Sequence, residues 1–236
     1  GYSLLLSGFA DQPEKIEQKI EYLMKHVIDG LIVFLSEEEW SGFEMLTKMS
    51  IPVIALNCPE GPAGIDTILV NDRESVAKVI AHHGEQGHKK IGFIAATQTD
   101  YVARERLAGA KEAVQNDPSI QLEVFTGDYS RKSGYYGAKA LLEKGATAIF
   151  VSNYNMSIGA IECFNQEGVR IGKDIAFSHY DYLDKNDLSI LPKITITPPT
   201  DKIGERAAEQ LLKRIKKEEE ENEKVIVMEN IIHGIN

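Results

Sequence analysis

Three polar positions stand out because each closes a short apolar run, Asn57 after IPVIAL, Asn153 after AIFVS and Asp181 after DIAFSHY, and with them go Arg104 and Arg106, at the start of the helix following KIGFIAATQTDY. An Asp accepts hydrogen bonds from hydroxyls, an Arg fork donates them, and an Asn amide does both. Together they suit a hydroxyl-rich ligand. Any one of them alone is explained as well by a cap or turn role. Catalytic patterns are missing: there is no G-x-S-x-G, H-E-x-x-H, G-x-x-x-x-G-K-[ST], or G-x-G-x-x-G after the first apolar run. His82 and His83 are adjacent, so a helix turns them to different faces, a poor arrangement for holding a metal. His88, behind Gly87, reads as a turn residue bonded to local backbone. The acidic pairs Asp72/Glu74 and Asp181/Asp184 read as helix-start and turn residues rather than a catalytic dyad. We therefore expect no catalytic residues, no metal and no cofactor.

The elements that must position these residues are legible from apolar patterning. YSLLLS (2–7), GLIVFL (30–35), IPVIAL (51–56), KIGFIAA (90–96), AIFVSN (148–153) and DIAFSHY (174–180) are bounded by Gly, Pro, Asp or Asn. Continuous apolar runs of this length suit strands buried on both faces of a parallel sheet. Amphipathic stretches lie between them, as in Ile16, Ile20, Leu23 and Val27. Asn71 or Asp72 is placed to cap a helix over 73–86, and Gly87, Gly145 and Gly168 to close helices. Strand then helix, repeated, predicts an α/β fold with right-handed crossovers, and the polar strand ends then share the rim where open α/β sheets bind ligands. A last helix, DKIGERAAEQLLKRI, runs into the charged stretch KEEEENEK, and a strand, KVIVMENIIH, follows. Trp40 reads as a packing or surface residue.

Composition bounds the partners. With 236 residues, 43% of them hydrophobic, the chain has the length for one large domain or two compact lobes, and two cysteines, Cys58 and Cys163, fit a reduced compartment. Twenty-six basic against 36 acidic residues gives a net charge of −10, unsuited to gripping nucleic-acid phosphates. No apolar run approaches the roughly 18 residues that span a bilayer.

In ordered blocks the chain resembles the effector-binding region of the lactose-repressor/galactose-repressor family of bacterial transcription regulators. The blocks are GYSLLLSGFADQPEKIEQKIEYLMKHVIDGLIVF, IPVIALN, ILVNDRESVAKVIAHHGEQGHKKIGFIA, ARERLAGAKEAV, SGYYGAKALLEKGATAIFVSNYNMSIGAIECFNQEGVRIGKDIAFSHYDYLD and LPKITITPPTDKIGERAAEQLLKRI. The resemblance implies a two-lobed type I periplasmic-binding-protein-like fold, with parallel sheets flanked by helices and the first strand–helix unit missing ahead of GYSLLL. It implies one lobe from 1–69 plus 198–218 and another from 70–197 plus 219–236, with ligand held in the cleft.

Carried over by position, Asn57, Arg106, Asn153 and Asp181 fall on the family's effector-contacting positions. Tyr154 stands where an Asp is common, His179 where a Gly is usual, and Asn57 where an Asp is frequent. Tyr154 and Tyr180, with Tyr182, are candidates for stacking on the apolar face of a sugar ring. The resemblance also implies a cytoplasmic homodimeric repressor that binds a sugar or related polar effector. Operator DNA would be met by an upstream helix-turn-helix head outside this chain, and no membrane is involved. An exported sugar-binding protein of a transporter is the alternative.

Overall fold

The computed structural model describes residues 1–8, 15–34, 43–58, 65–181, 194–218 and 225–235. Trp40, Tyr182, Asp184 and most of the acidic run after Lys217 lie outside them. Two compact units account for the contacts, Gly1–Leu69 with Thr200–Val227, and Val70–Pro199 with Met228–Asn236.

In the first unit, α1 (Ile16–Met24), β1 (Leu31–Phe34), α2 (Phe43–Thr47), β2 (Val53–Leu56) and β3 (Asp66–Val70) follow one another. β1, β2 and β3 pair in parallel. VIAL of β2 is buried throughout its first three residues. LIVF of β1, at the end of the strand order, alternates instead, with Leu31 and Val33 buried and Ile32 and Phe34 exposed, so it is covered on one face and not on both as expected. Ile16, Ile20 and Leu23 of α1 pack on this sheet with Leu31, Val33 and Val53. Residues 2–7 do not form the expected strand. No described strand pairs with them, and a strand without a ladder leaves its backbone and side chains to water: Leu4 is 90% exposed.

The second unit continues with α3 (Asp72–Glu85), β4 (Lys90–Ala95), α4 (Tyr101–Asn116), β5 (Gln121–Thr126), α5 (Arg131–Glu143), β6 (Ala148–Val151), α6 (Tyr154–Gln166), β7 (Ala176–Tyr180) and β8 (Ile194–Thr197). The chain then forms α7 (Thr200–Ile215), β9 (Val225–Met228) and β10 (Ile231–His233). The larger sheet has the order β10-β8-β7-β6-β4-β5, parallel except for β10, which runs antiparallel to β8. One face is covered by a cluster including Met156, Ile161, Phe164 and Phe177, the other by one including Val76, Ile80, Leu107 and Tyr180. Gly87, Gly145 and Gly168 take positive φ (91°, 79° and 70°) at the helix ends where they were expected.

The tail departs from expectation. KVIVMENIIH is two strands in two sheets: β9 lies beside β3 and β10 beside β8. The two strands part at Glu229–Asn230, and the first unit extends to Val227, so most of β9 belongs with it although everything after 218 was expected in the second. The six apolar residues of this segment signal strand equally well on both sides of Glu229–Asn230, and only the pairing partners distinguish the two strands.

Candidate functional site

The parallel strands of the second unit place Asn153 and Asp181 at the C-terminal ends of β6 and β7. Arg106 reaches that rim from α4. The N-terminus of α4 is fixed by Asp100, whose side chain accepts from the backbone N–H groups of Val102 and Ala103. Arg104 donates to the carbonyls of Gln98 and Thr99. Arg106 turns inward. Its Nε donates to Asp72 Oδ2 at 3.2 Å, its Nη1 donates to the Ser152 carbonyl at 2.8 Å, and its guanidinium carbon lies 3.4 Å from the centroid of the Tyr180 ring. The side chains of Arg106 and Asp72 are only 13% and 6% exposed. Burial works against the charge on Arg106, but Asp72, with Tyr180 and Tyr129, outweighs it and holds the guanidinium above its ordinary value. The cation is thus permanent and aimed. Its Nη2 has no acceptor among the described residues.

Asp72 and Tyr180 form the seat for this cation. The Tyr180 hydroxyl lies within hydrogen-bond distance of Asp72 Oδ1 and, at 2.8 Å, of Asn230 Oδ1, its one proton shared between the two acceptors, while Asn230 Nδ2 donates to Asp72 Oδ1 at 2.9 Å. Burial pushes the Tyr180 hydroxyl far above its usual range, against the pull of Arg106 and with help from Asp72, so it remains a donor. Asp72 also sits in the first turn of α3, where the helix dipole favours a carboxylate. Tyr180 was expected to stack on ligand. It is instead 2% exposed, one face covered by Arg106 and the ring packed in the core, so it supports Arg106 and offers no open face. Tyr154 is partly buried against the hydrophobic cluster on the other face of the sheet.

The remaining strand-end residues are shaped by backbone geometry. Asn153 caps α6, its Oδ1 accepting from the Met156 N–H at 3.3 Å, which leaves its Nδ2 donor for other use. Asp181 takes φ 90° while its N–H donates to the Ile196 carbonyl. Asn57, in the first unit, takes φ 57° at the end of β2 with its N–H donating to the Ile68 carbonyl. Positive φ outside glycine is strained, is least costly for Asn and Asp, and gathers at functional sites.

The structure adds residues that patterning did not reveal. Tyr129 (φ 68°) donates its hydroxyl to Asp100 at 2.8 Å and is held far above its usual range by burial and by Asp100. Ser152 is 1% exposed, and its hydroxyl has no partner among the described residues. Asp72 was taken as a cap residue and Asn230 as part of a strand. Asn71 holds the N-cap position of α3 but makes no cap bond, its Oδ1 instead accepting from the Asn230 N–H and the Ser75 hydroxyl.

His82, His83 and His88 form a separate group in the second unit. His83 is 2% exposed and its Nε2 pairs with Ser178 Oγ at 2.8 Å, while His88 Nδ1 pairs with Thr147 Oγ1 at 3.0 Å. His88 therefore ties the turn to β6 rather than to local backbone. Burial, with His88 and His82 adding, lowers His83 to about 4. These rings border a cavity of about 340 Å³ that also touches Gln86, Thr147 and Lys173. Among the described residues no three His, Cys, Asp or Glu side chains are placed to hold a metal ion, and no helix is long and apolar enough to cross a membrane.

The chain is similar to known proteins. A family model described as a periplasmic binding protein-like domain matches residues 80–234. The HTH-type transcriptional repressor PurR of Actinobacillus pleuropneumoniae (serotype 3, strain JL03) is 31% identical over 92% of this chain and 66% of its own length. PurR of Haemophilus influenzae (strain PittEE) is 32% identical over 93% of this chain and 67% of its own length. The chain thus spans about two thirds of the length of the curated relatives it matches. Among solved structures, a LacI family transcriptional regulator from Enterococcus faecium with bound ribose has a TM-score of 0.81 at 23% identity, over 92% of this chain and 81% of that one. That likeness fixes the fold, and the sequence relatives fix the lineage. The chain belongs to the lactose-repressor/galactose-repressor family, as its periplasmic-binding-protein-like effector-binding domain.

Proposed function

We propose that this chain senses a small polar effector, a sugar or a related hydroxyl-rich molecule, and that in the full-length protein its occupancy changes affinity for operator DNA. One observation carries the reading: Arg106 is a buried, permanently charged guanidinium at the strand-end rim, oriented by Asp72, Ser152 and Tyr180, with its Nη2 edge left for a ligand. Such a fork, fixed before binding, loses little side-chain entropy when it meets neighbouring hydroxyls. Asp181 accepts from the ligand, Asn153 Nδ2 donates to it, and Asn57 supplies a further amide. Tyr154 remains a candidate stacking residue. The work is binding and not catalysis. The relatives named as repressors support a cytoplasmic regulator that acts as a homodimer and meets DNA through a separate upstream head.

The test is thermal unfolding of the chain across a panel of carbohydrates and nucleosides. A ligand present at a hundred times its Kd adds about 2.7 kcal/mol, which for a chain of this size raises Tm by roughly 5–10 °C. A panel in which no compound raises Tm contradicts the proposal.

A further inference from the structure

The seat of Arg106 lies within the second unit. The chain crosses between the units at Leu69–Val70, Pro199–Thr200 and Val227–Met228, and the segments that follow the first and the last of these crossings contribute to the seat. These two passages are bonded to each other, the Asn71 N–H donating to the Met228 carbonyl at 3.0 Å. Asn230 ties both to the site. Its backbone N–H donates to Asn71 Oδ1 at 2.8 Å, its Nδ2 donates to Asp72 Oδ1 at 2.9 Å, and its Oδ1 accepts from the Tyr180 hydroxyl at 2.8 Å. Asp72 and Tyr180 are the two side chains that hold the Arg106 guanidinium. Asn230 therefore bonds through its side-chain amide to both supports of the cation and through its backbone N–H to the passage at Asn71.

We infer that Asn230 is a positioning residue that couples the state of Arg106 to the two chain passages at 70–72 and 228–230. The inference rests on the reading of Arg106 as the ligand-binding cation. Side-chain chemistry makes the choice of residue specific. The position must donate to a carboxylate and accept from a phenol at once, which an amide does and a carboxylate or an aliphatic side chain does not. In a site this dry, a lost partner leaves a buried polar group unpaired, so a change at Arg106 spreads through Asp72 and Tyr180 instead of being absorbed by water. A ligand that pulls on the Nη2 edge of Arg106 would act on the passages by the same route.

Coupling of this kind is measurable without any ligand, which separates its failure from failure of the sensing proposal. Amide hydrogen exchange resolved by NMR would follow residues 71 and 230, with Phe93 at the centre of β4 as the control. In Arg106→Met, which keeps the unbranched apolar stem and removes the guanidinium with its charge and donors, the amides of Asn71 and Asn230 are expected to exchange at least tenfold faster while Phe93 is unchanged. Exchange within twofold of the parent chain at both positions would overturn the inference. Should Arg106→Met fold poorly, which Phe93 would reveal, Asn230→Asp serves instead. Its new carboxyl keeps the acceptor for Tyr180 but faces Asp72, with Arg106 beyond. Protonated, it donates to Asp72 as the amide did; ionised, it repels. The protection of the Asn71 amide should therefore approach that of the parent chain near pH 5 and fall at least tenfold by pH 8, after correction for intrinsic exchange. A residue with only a packing role would give the same protection at both pH values.

Discussion

Arg106 is held by groups from four separate stretches of chain: Asp72, Ser152, Tyr180 and, through the last and the first, Asn230. Its candidacy is readable from its place in the helix behind an apolar run and from the family block ARERLAGAKEAV. Its supports are not. Asp72 lies 34 residues away and has the appearance of any carboxylate at a helix start, and Asn230 lies inside what reads as one continuous strand. Tyr180 was misassigned because a tyrosine beside a strand end looks the same whether its ring faces ligand or core; the packing of α3 and α4 decides it. His83 supports a different prediction. Its folded-state value of about 4 lies below the unfolded 6.5, so the unfolded chain takes up more protons between those values. The stability that depends on neutral His83 is complete above about pH 6.5 and is lost as pH falls toward 4, by up to about 3 kcal/mol. Urea unfolding against pH should show a flatter acid slope in His83→Gln than in the parent chain, and identical slopes would refute this origin.

The elements followed their patterning wherever a run had a partner strand beside it. β1, β2, β4, β6 and β7 fall within the apolar runs that announced them, and α7 within its amphipathic stretch. Residues 2–7 and the tail departed for one reason: patterning reports that a segment is strand-like and is silent about which strand it meets. The link between α7 and β3 was invisible for a similar reason. Arg214 grips Asp66 with both Nε and Nη2 at 2.7 Å, and Gln210 Nε2 adds a third bond at 2.8 Å, across nearly 150 residues of chain. The Arg214 and Asp66 side chains are 14% and 2% exposed, so removing one strands the other's charge in a dry setting. Arg214→Ala should cost about 3–5 kcal/mol in urea unfolding. A loss below 1 kcal/mol would show that water or a neighbour replaces the guanidinium.

For the whole molecule, charge and lineage fit together once the chain is taken as a sensing domain. A net charge of −10 does not favour contact with DNA phosphates, and the repressor relatives are longer than this chain, which covers 66% of the first of them. The α/β class and the strand-end rim were legible from the alternation of apolar runs and helices, whereas the chemistry of the rim depends on long-range contacts that only the folded chain brings together. The central claim, that Arg106 is the cation that meets the effector, is tested most directly by isothermal titration of the effector found in the ligand panel against the parent chain and Arg106→Lys. Lysine keeps a charge beside Asp72 but cannot present the guanidinium fork. The expected result is one binding site per chain whose affinity falls about 10–100-fold in the variant, the loss of a charged hydrogen bond. Equal affinity in the two proteins would contradict the account.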